Sequence, residues 1–235
     1  MPLERVREIL EFGVVKVVTI APEMPGALTA IEAFLEANVR VSLGHTAATA
    51  EEASAVFALA ASLKKTSFVS GTHLFNAMGG LEGRNPGVVG ALLGNPNVYS
   101  EIILDGHHVH FTSFPRAFFA KPDKLLLVTD AIRAAGQPDG TYDLGGQPVR
   151  LEAGAVHLEN GSLAGSVLTM LEAVRNAVKA GLALEVACRL ASLYPAQYLG
   201  LPGFGKLENG NTADLVVLSE DLEIEAVYVG GQQVA

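Results

Sequence analysis

Several short apolar runs in this sequence end on a residue able to bind a metal or move a proton. His45 follows Val39-Arg40-Val41-Ser42-Leu43-Gly44, and His73 follows Ser67-Phe68-Val69 and a short Ser70-Gly71-Thr72 link. Asp105, with His108 beyond it, follows Ile102-Ile103-Leu104, and Asp130 follows Leu125-Leu126-Leu127-Val128-Thr129. A histidine that ends a strand and opens a loop is held by the sheet while its ring faces a ligand or solvent. One such histidine is ordinarily a satisfied structural residue; the repetition along the chain is what points to chemistry. If the runs are neighbouring strands, His45, His73, His108 and Asp130 converge on one rim. Two imidazoles with a carboxylate suit a borderline ion such as Zn²⁺ or Fe²⁺ and leave a coordination position for water. An ion so held lowers the pKa of its water to about 7. The remaining carboxylate, for which Asp130 is the candidate, then serves as general base and later as acid toward the leaving group.

Other side chains suit an anion. Arg84 offers a planar fork for a phosphate and His108 a second donor; a solvated loop charge accounts for Arg84 equally well. Neighbours on an extended strand point to opposite faces, so His107 and His108 are not expected to reach the same ligand. His107, His110 and His157 read as structural on their own.

The elements that must position these groups follow from the rest of the chain. Its 235 residues allow one large domain, or one domain and a small appendage. Hydrophobic residues make up 49% and charged ones 17%, yet no run approaches the roughly 18 apolar residues of a membrane span. Strands buried on both faces of a helix-covered parallel sheet explain that richness. The net charge of -9 argues against general nucleic-acid binding. Cys188, the single cysteine, excludes an internal disulfide and reads as a buried inert thiol. The N-terminus lacks the long apolar region of a signal peptide, so a cytoplasmic location is expected.

Residues 3–12 read as a helix and Val14 to Ile20 as a β-branched strand ending at Ala21-Pro22-Glu23. A helix over 27–37 leads to the run before His45, and Thr49 with Glu52 forms a capping box for a helix over 50–63. Helices near 87–93 and 113–120 precede the runs that end at Asp105 and Asp130. Strands alternating with helices imply a parallel sheet with right-handed crossovers, whose chemistry gathers at the carboxyl ends. From 131 to 165 the sequence turns Gly-rich and alternating, an excursion of hairpins before a helix opened by Ser166, and a further helix covers 184–199. Two strands, Ala213 to Leu218 and Ala226 to Val229, form an antiparallel appendage. The domain reading is a barrel portion over 1–204 and a small β-domain over 205–235.

The motifs together resemble those of the N-acetylglucosamine-6-phosphate deacetylases of the amidohydrolase superfamily. The similar segments are Ala21-Pro22-Glu23, Gly44-His45-Thr46-Ala47-Ala48-Thr49, Thr72-His73-Leu74-Phe75-Asn76-Ala77-Met78 and Gly83-Arg84-Asn85-Pro86-Gly87. They continue with Asp105-Gly106-His107-His108-Val109, Val128-Thr129-Asp130-Ala131 and Gly161-Ser162-Leu163-Ala164-Gly165-Ser166. The resemblance implies an α/β fold: a partial (β/α)₈ TIM barrel of the metal-dependent amidohydrolase type, about five of eight units, with the C-terminal part of a small β-sandwich domain. It also implies hydrolysis of the acetamide of N-acetylglucosamine 6-phosphate to glucosamine 6-phosphate and acetate, a step of amino-sugar catabolism. By position, His45 and His73 would bind the divalent metal, Zn²⁺ or Fe²⁺, and Asp130 would carry the proton. Asn76, Ala77, Arg84, Asp105, Gly106, His107, His108, Leu163, Ala164 and Gly165 would contact the sugar phosphate. The Arg84 position implies reach into a neighbouring subunit, hence a homodimer, with neither nucleic acid nor membrane as partner.

The sequence also departs from the family. It lacks the strands that in the family precede Ala-Pro-Glu, including a His-Leu-Glu-Gly-Pro motif whose glutamate completes the metal site. Glu23 is not expected to replace that glutamate, because in the family it ends the next strand. Losing three strands is expected to leave two open edges and to bare an apolar barrel interior, at a cost on the order of 10 kcal/mol. Two further readings follow: a catalytically impaired fragment that pairs with another chain or only binds sugar phosphate, and an amidohydrolase acting on another substrate such as a cyclic amide.

Overall fold

Five short apolar runs form one parallel sheet in the order β1-β2-β3-β4-β5. They are β1 (Val17–Ile20), β2 (Arg40–Leu43), β3 (Val69–Gly71), β4 (Tyr99–Ile102) and β5 (Leu125–Leu127). The computed structural model describes residues 2–235. Each strand is followed or preceded by a helix: α1 (Leu3–Glu11), α2 (Ala27–Glu36), α3 (Ala50–Ser62), α4 (Gly87–Gly94) and α5 (Phe114–Ala120). The register steps evenly, with Val18 beside Val41, Val41 beside Val69, and Ile102 beside Leu127. Sequential parallel neighbours joined by helices are a stretch of a (β/α) barrel, with β1 and β5 as its two edges.

Because side chains alternate across a strand, the sheet has two distinct faces. Val41, Leu43, Val69, Ile102, Leu125 and Leu127 pack with the helices in one buried core that also takes Phe34, Phe114 and Leu92. Arg40, Ser42, Ser70, Tyr99, Glu101 and Leu126 occupy the other, inner face. The α3 helix starts where the sequence places it: Thr49 accepts from Glu52 N–H and Glu52 accepts from Thr49 N–H, a complete capping box.

After β5 the chain makes a four-stranded antiparallel sheet of β6 (Gly140–Leu144), β7 (Gln147–Glu152), β8 (Ala155–Leu158) and β9 (Leu163–Ser166). Three helices follow, α6 (Met170–Lys179), α7 (Leu184–Ala191) and α8 (Leu193–Leu199). The chain then forms a three-stranded antiparallel sheet of β10 (Leu215–Leu218), β11 (Ile224–Val229) and β12 (Gln232–Gln233). Two sequence expectations are corrected here. Ser166 does not open a helix: it ends β9, and Thr169 is the cap, accepting from Glu172 N–H. The single helix expected over 184–199 is two, broken at Ser192 (φ -134°). Pro195 has no N–H for an unbroken helix, and the break places it in the first turn of α8, where none is required.

The inner face also differs from expectation. Its lower half is covered by α8, whose Tyr198 packs on Tyr99 and Leu126. Its upper half is polar: Thr72 Oγ1 donates to Ser42 Oγ (2.6 Å) and lies 3.2 Å from Thr19 Oγ1. None of the large exposed hydrophobic residues lies in β2, β3, β4 or β5. The expected apolar exposure is therefore absent from β2 to β5, because hydroxyls, Glu101 and a helix occupy the surface there, while Val17, Val18 and Ile20 of β1 are only half-buried.

Candidate active site

The carboxyl ends of β2 to β5 carry His45, His73, Glu101 and Asp130 to one rim. The Nε2 atoms of His45 and His73 lie 3.0 Å apart, with their rings edge to face at 4.7 Å between centroids. His45 is exposed, whereas His73 is only 7% exposed. Burial, followed by the neighbouring His45, holds the His73 pKa below its ordinary value, opposed by Asp130. His73 is thus a neutral imidazole near pH 7, the form with a lone pair to give. Its Nδ1 is buried and has no hydrogen-bond partner.

This donor pair fits a divalent ion of the zinc or iron type, for which nitrogen donors sit at about 2.0–2.1 Å. Two nitrogens 3.0 Å apart can both reach one such ion. Among the described residues no group of three or more His, Cys, Asp or Glu side chains stands ready to hold one. His45 and His73 therefore make a two-nitrogen half-site.

Backbone strain is concentrated at the same rim. His45 (φ 51°), His73 (φ 32°), Phe75 (φ 79°), Ala77 (φ 46°) and Asp130 (φ 50°) all take left-handed conformations. Such residues cost on the order of 1–3 kcal/mol each and persist only where the surroundings fix them. The surroundings are visible. Asn76 Nδ2 donates to the carbonyls of His73 and Leu74 (3.2 Å each), and Thr46 N–H donates to Ala77 O (2.9 Å). Asp130 O accepts from Ser166 N–H, Ser166 O accepts from Ile132 N–H (2.9 Å each), and Ser166 Oγ donates to Thr129 O. That seam brings Gly165 against the Asp130 loop, and Ala164 packs with Ile132 and Ala134 beyond it. Gly165 (φ 66°) permits the approach, since a Cβ there would meet Ile132 Cγ2 at 2.6 Å.

Asp105 to His108 is not the extended segment that the sequence suggests. Asp105 Oδ1 accepts from the backbone N–H groups of His107 (2.9 Å) and His108 (2.8 Å), and Oδ2 lies 2.6 Å from His108 Nδ1. The alternation argument about His107 and His108 fails for this reason: the segment is a turn wound around Asp105, with Gly106 at φ 85°. Both oxygens of Asp105 are engaged within the turn, and their hydrogen bonds, chiefly that of the His108 side chain, keep its pKa below the ordinary value despite burial. The His108 side chain itself is only 6% exposed. His107 is exposed, and Arg84 is exposed on the loop between Met78 and α4.

The sequence reading missed Glu101. It lies on the inner face of β4, where the His73 backbone amide is near enough to its carboxylate to lower its pKa, and its own carbonyl accepts from Leu74 N–H (2.7 Å). Burial raises its pKa to about 7, with the Asp130 charge adding to the rise. The signal available was a lone charge inside a short strand, Tyr99-Ser100-Glu101-Ile102.

Comparison with known proteins places these features in context. The pattern of the amidohydrolase family matches residues 3–234. An N-acetylgalactosamine-6-phosphate deacetylase of Escherichia coli O157:H7 is 41% identical over 92% of this chain and 56% of its own length. An N-acetylglucosamine-6-phosphate deacetylase of Lysinibacillus sphaericus is 40% identical over 93% of this chain and 55% of its own. Among solved structures, a mutant N-acetyl-D-glucosamine-6-phosphate deacetylase from Mycobacterium smegmatis, in complex with N-acetyl-D-glucosamine-6-phosphate, superposes with a TM-score of 0.92. It is 38% identical, over 99% of this chain and 61% of that one. The chain thus spans little more than half the length of these relatives.

Proposed function

The chain belongs to the amidohydrolase family, and from that premise we propose that it hydrolyses the acetamide of N-acetylglucosamine 6-phosphate, releasing glucosamine 6-phosphate and acetate. The observation that carries this reading is the pair of Nε2 atoms 3.0 Å apart on the rim that also holds Asp130. In this reading His45 and His73 hold a divalent ion, Zn²⁺ or Fe²⁺, which when bound supplies Lewis acidity toward the amide carbonyl and toward water. Asp130 is exposed at the strand end and close enough for its charge to act on His73. It takes a proton from the attacking water and returns it to the amide nitrogen as the C–N bond breaks, so the amine leaves neutral.

The remaining residues bind. A dianionic phosphate suits the Arg84 guanidinium and the His108 imidazole. Asn76, Ala77, the Asp105–His108 turn with Gly106 and His107, and Leu163, Ala164 and Gly165 surround the position of the sugar. Arg84, exposed on its loop, is free to serve a second copy in a homodimer. No helix among the described residues is long and apolar enough to cross a membrane. The proposed role is that of a cytoplasmic enzyme of amino-sugar catabolism.

A second reading rests on the half-site. With no third side-chain ligand among the described residues, the chain would act with another chain that completes the metal set, or would bind sugar phosphate alone. Acetate release by the purified chain decides between them, measured with added Zn²⁺ and with chelator, on the 6-phosphate and on free N-acetylglucosamine. Metal-dependent release from the phosphorylated sugar is expected. Release that ignores the metal would overturn the catalytic reading, and equal turnover of the unphosphorylated sugar would overturn the roles of Arg84 and His108. The N-acetylgalactosamine epimer, run in parallel, sets the sugar preference.

A further inference from the structure

Glu23 lies in the loop between β1 and α2 and has no place in the metal or substrate sets above. Its carboxylate nevertheless takes two short hydrogen bonds from the loop that carries His45. Thr46 Oγ1 donates to Oε2 at 2.5 Å, and Ala47 N–H donates to Oε1 at 2.8 Å. These bonds hold the Glu23 pKa below its ordinary value, although burial pulls it the other way. Thr46 is 5% exposed and extends the chain of contacts: its Oγ1 accepts from Ala48 N–H (3.0 Å), and its own N–H donates to Ala77 O. Thr46 also forms a parallel bridge with Met78. One carboxylate therefore ties three strand ends together: its own after β1, the His45 loop after β2, and the Asn76-Ala77 loop after β3.

The tie sits where strain must be held. His45 is left-handed, and its two neighbours are fixed, Thr46 by Glu23 and Gly44 by close packing, since a Cβ there would lie 2.5 Å from Thr72 Cβ. Both groups facing Glu23 are donors, so two acceptor oxygens are needed at that reach. Glutamate supplies them, glutamine supplies one, and aspartate is a methylene short.

We propose that Glu23 is a positioning residue, a carboxylate clamp that fixes the backbone of the metal-binding His45 and couples it to the substrate loop at Asn76 and Ala77. The inference rests on the proposed function for the meaning of His45, and the test separates the two. Zn²⁺ affinity would be titrated calorimetrically for the chain, for Glu23→Gln, for Thr46→Val and for the double variant. Hydrogen exchange at the Ala47 amide and urea unfolding would be followed in the same samples. The clamp predicts Zn²⁺ binding weakened about tenfold in folded Glu23→Gln, and Ala47 exchange faster by at least tenfold. It also predicts a double variant no worse than the poorer single one, because both cut the same link. A purely structural glutamate would lower the unfolding midpoint and leave the Zn²⁺ affinity of the folded protein within twofold, which would overturn the proposal, as would additive losses. If the unsubstituted chain binds no Zn²⁺, the function proposed for His45 fails. The exchange experiment then decides the clamp alone: loss of Ala47 protection in Glu23→Gln supports it and equal protection overturns it.

Discussion

The two ends of the parallel sheet treat polar groups in opposite ways. At the base, buried cations are tied off. Arg40, 8% exposed, donates from Nε to the Tyr198 carbonyl and lies over the Phe68 ring at 4.5 Å. Lys121, 1% exposed, donates to the carbonyls of Val98 (2.7 Å) and Asn95, and burial lowers its pKa to about 8. Tyr198 OH lies 2.8 Å from Ser70 Oγ. At the rim, by contrast, His73 Nδ1 has no partner, Glu101 is largely buried without a cation beside it, and five residues are left-handed, compared with Asn38 and Lys64 at the base. A group fully partnered inside the protein has nothing left for a ligand. The under-satisfied, strained end is the one at which chemistry is expected in a sheet of this kind.

The strongest test of that contrast is Asp130→Asn. A general acid–base group contributes about 10²–10⁴-fold to rate, so acetate release at saturating Zn²⁺ should fall by that factor. Zn²⁺ binding and the urea midpoint should change far less than the rate, since the exposed side chain reaches His73 and Glu101 only through its charge. A rate within tenfold of the original would leave the rim with no assigned proton carrier. The mirror experiment acts on the base. Arg40→Ala leaves the Tyr198 carbonyl without its donor and removes the guanidinium from the Phe68 and Tyr198 rings. A loss of about 3 kcal/mol in unfolding free energy is expected, read as a lower urea midpoint, with turnover per folded molecule unchanged. A large fall in turnover would show that base and rim are not separable.

How far this division could be read from the sequence depends on which interactions are local. His45, His73 and Asp130 were legible because each ends an apolar run, and the strand itself delivers the side chain to the rim. The Thr49–Glu52 capping box was legible because its partners are three residues apart. Tyr198 was not, since its contacts with Ser70, Tyr99 and Leu126 depend on α8 folding across the inner face. Asp105 was misread as the end of a straight strand, because a carboxylate that collects the backbone N–H groups two and three residues ahead winds the chain into a turn. Glu101 was missed for a different reason. Its inward direction follows from the register of β4 against β3 and β5, a long-range property that spacing along one strand does not contain.

Glu101 also supplies the smallest effect, and one whose sign distinguishes rim from base. Its folded pKa of about 7 lies above the ordinary 4.5, so between those values the native state holds a proton that the unfolded chain has released. Stability from this group is present at low pH and is lost as pH rises from about 4.5 to about 7. Glu101→Gln keeps a carbonyl oxygen beside the His73 amide and carries no charge to desolvate. In urea unfolding with chelator present, it should be more stable than the original chain at pH 8, on the order of 2 kcal/mol, and the difference should close toward pH 5. Lys121 behaves in the opposite sense, because a base whose folded pKa is depressed to about 8 from 10.5 adds stability only as pH climbs through that interval. The two groups thus mark the ends of the sheet by opposite slopes in separate pH windows. Coincident curves for Glu101→Gln and the original chain at pH 5 and pH 8 would mean that Glu101 is solvated, and the burial that sets His73 apart from His45 would not extend to the carboxylate beneath it.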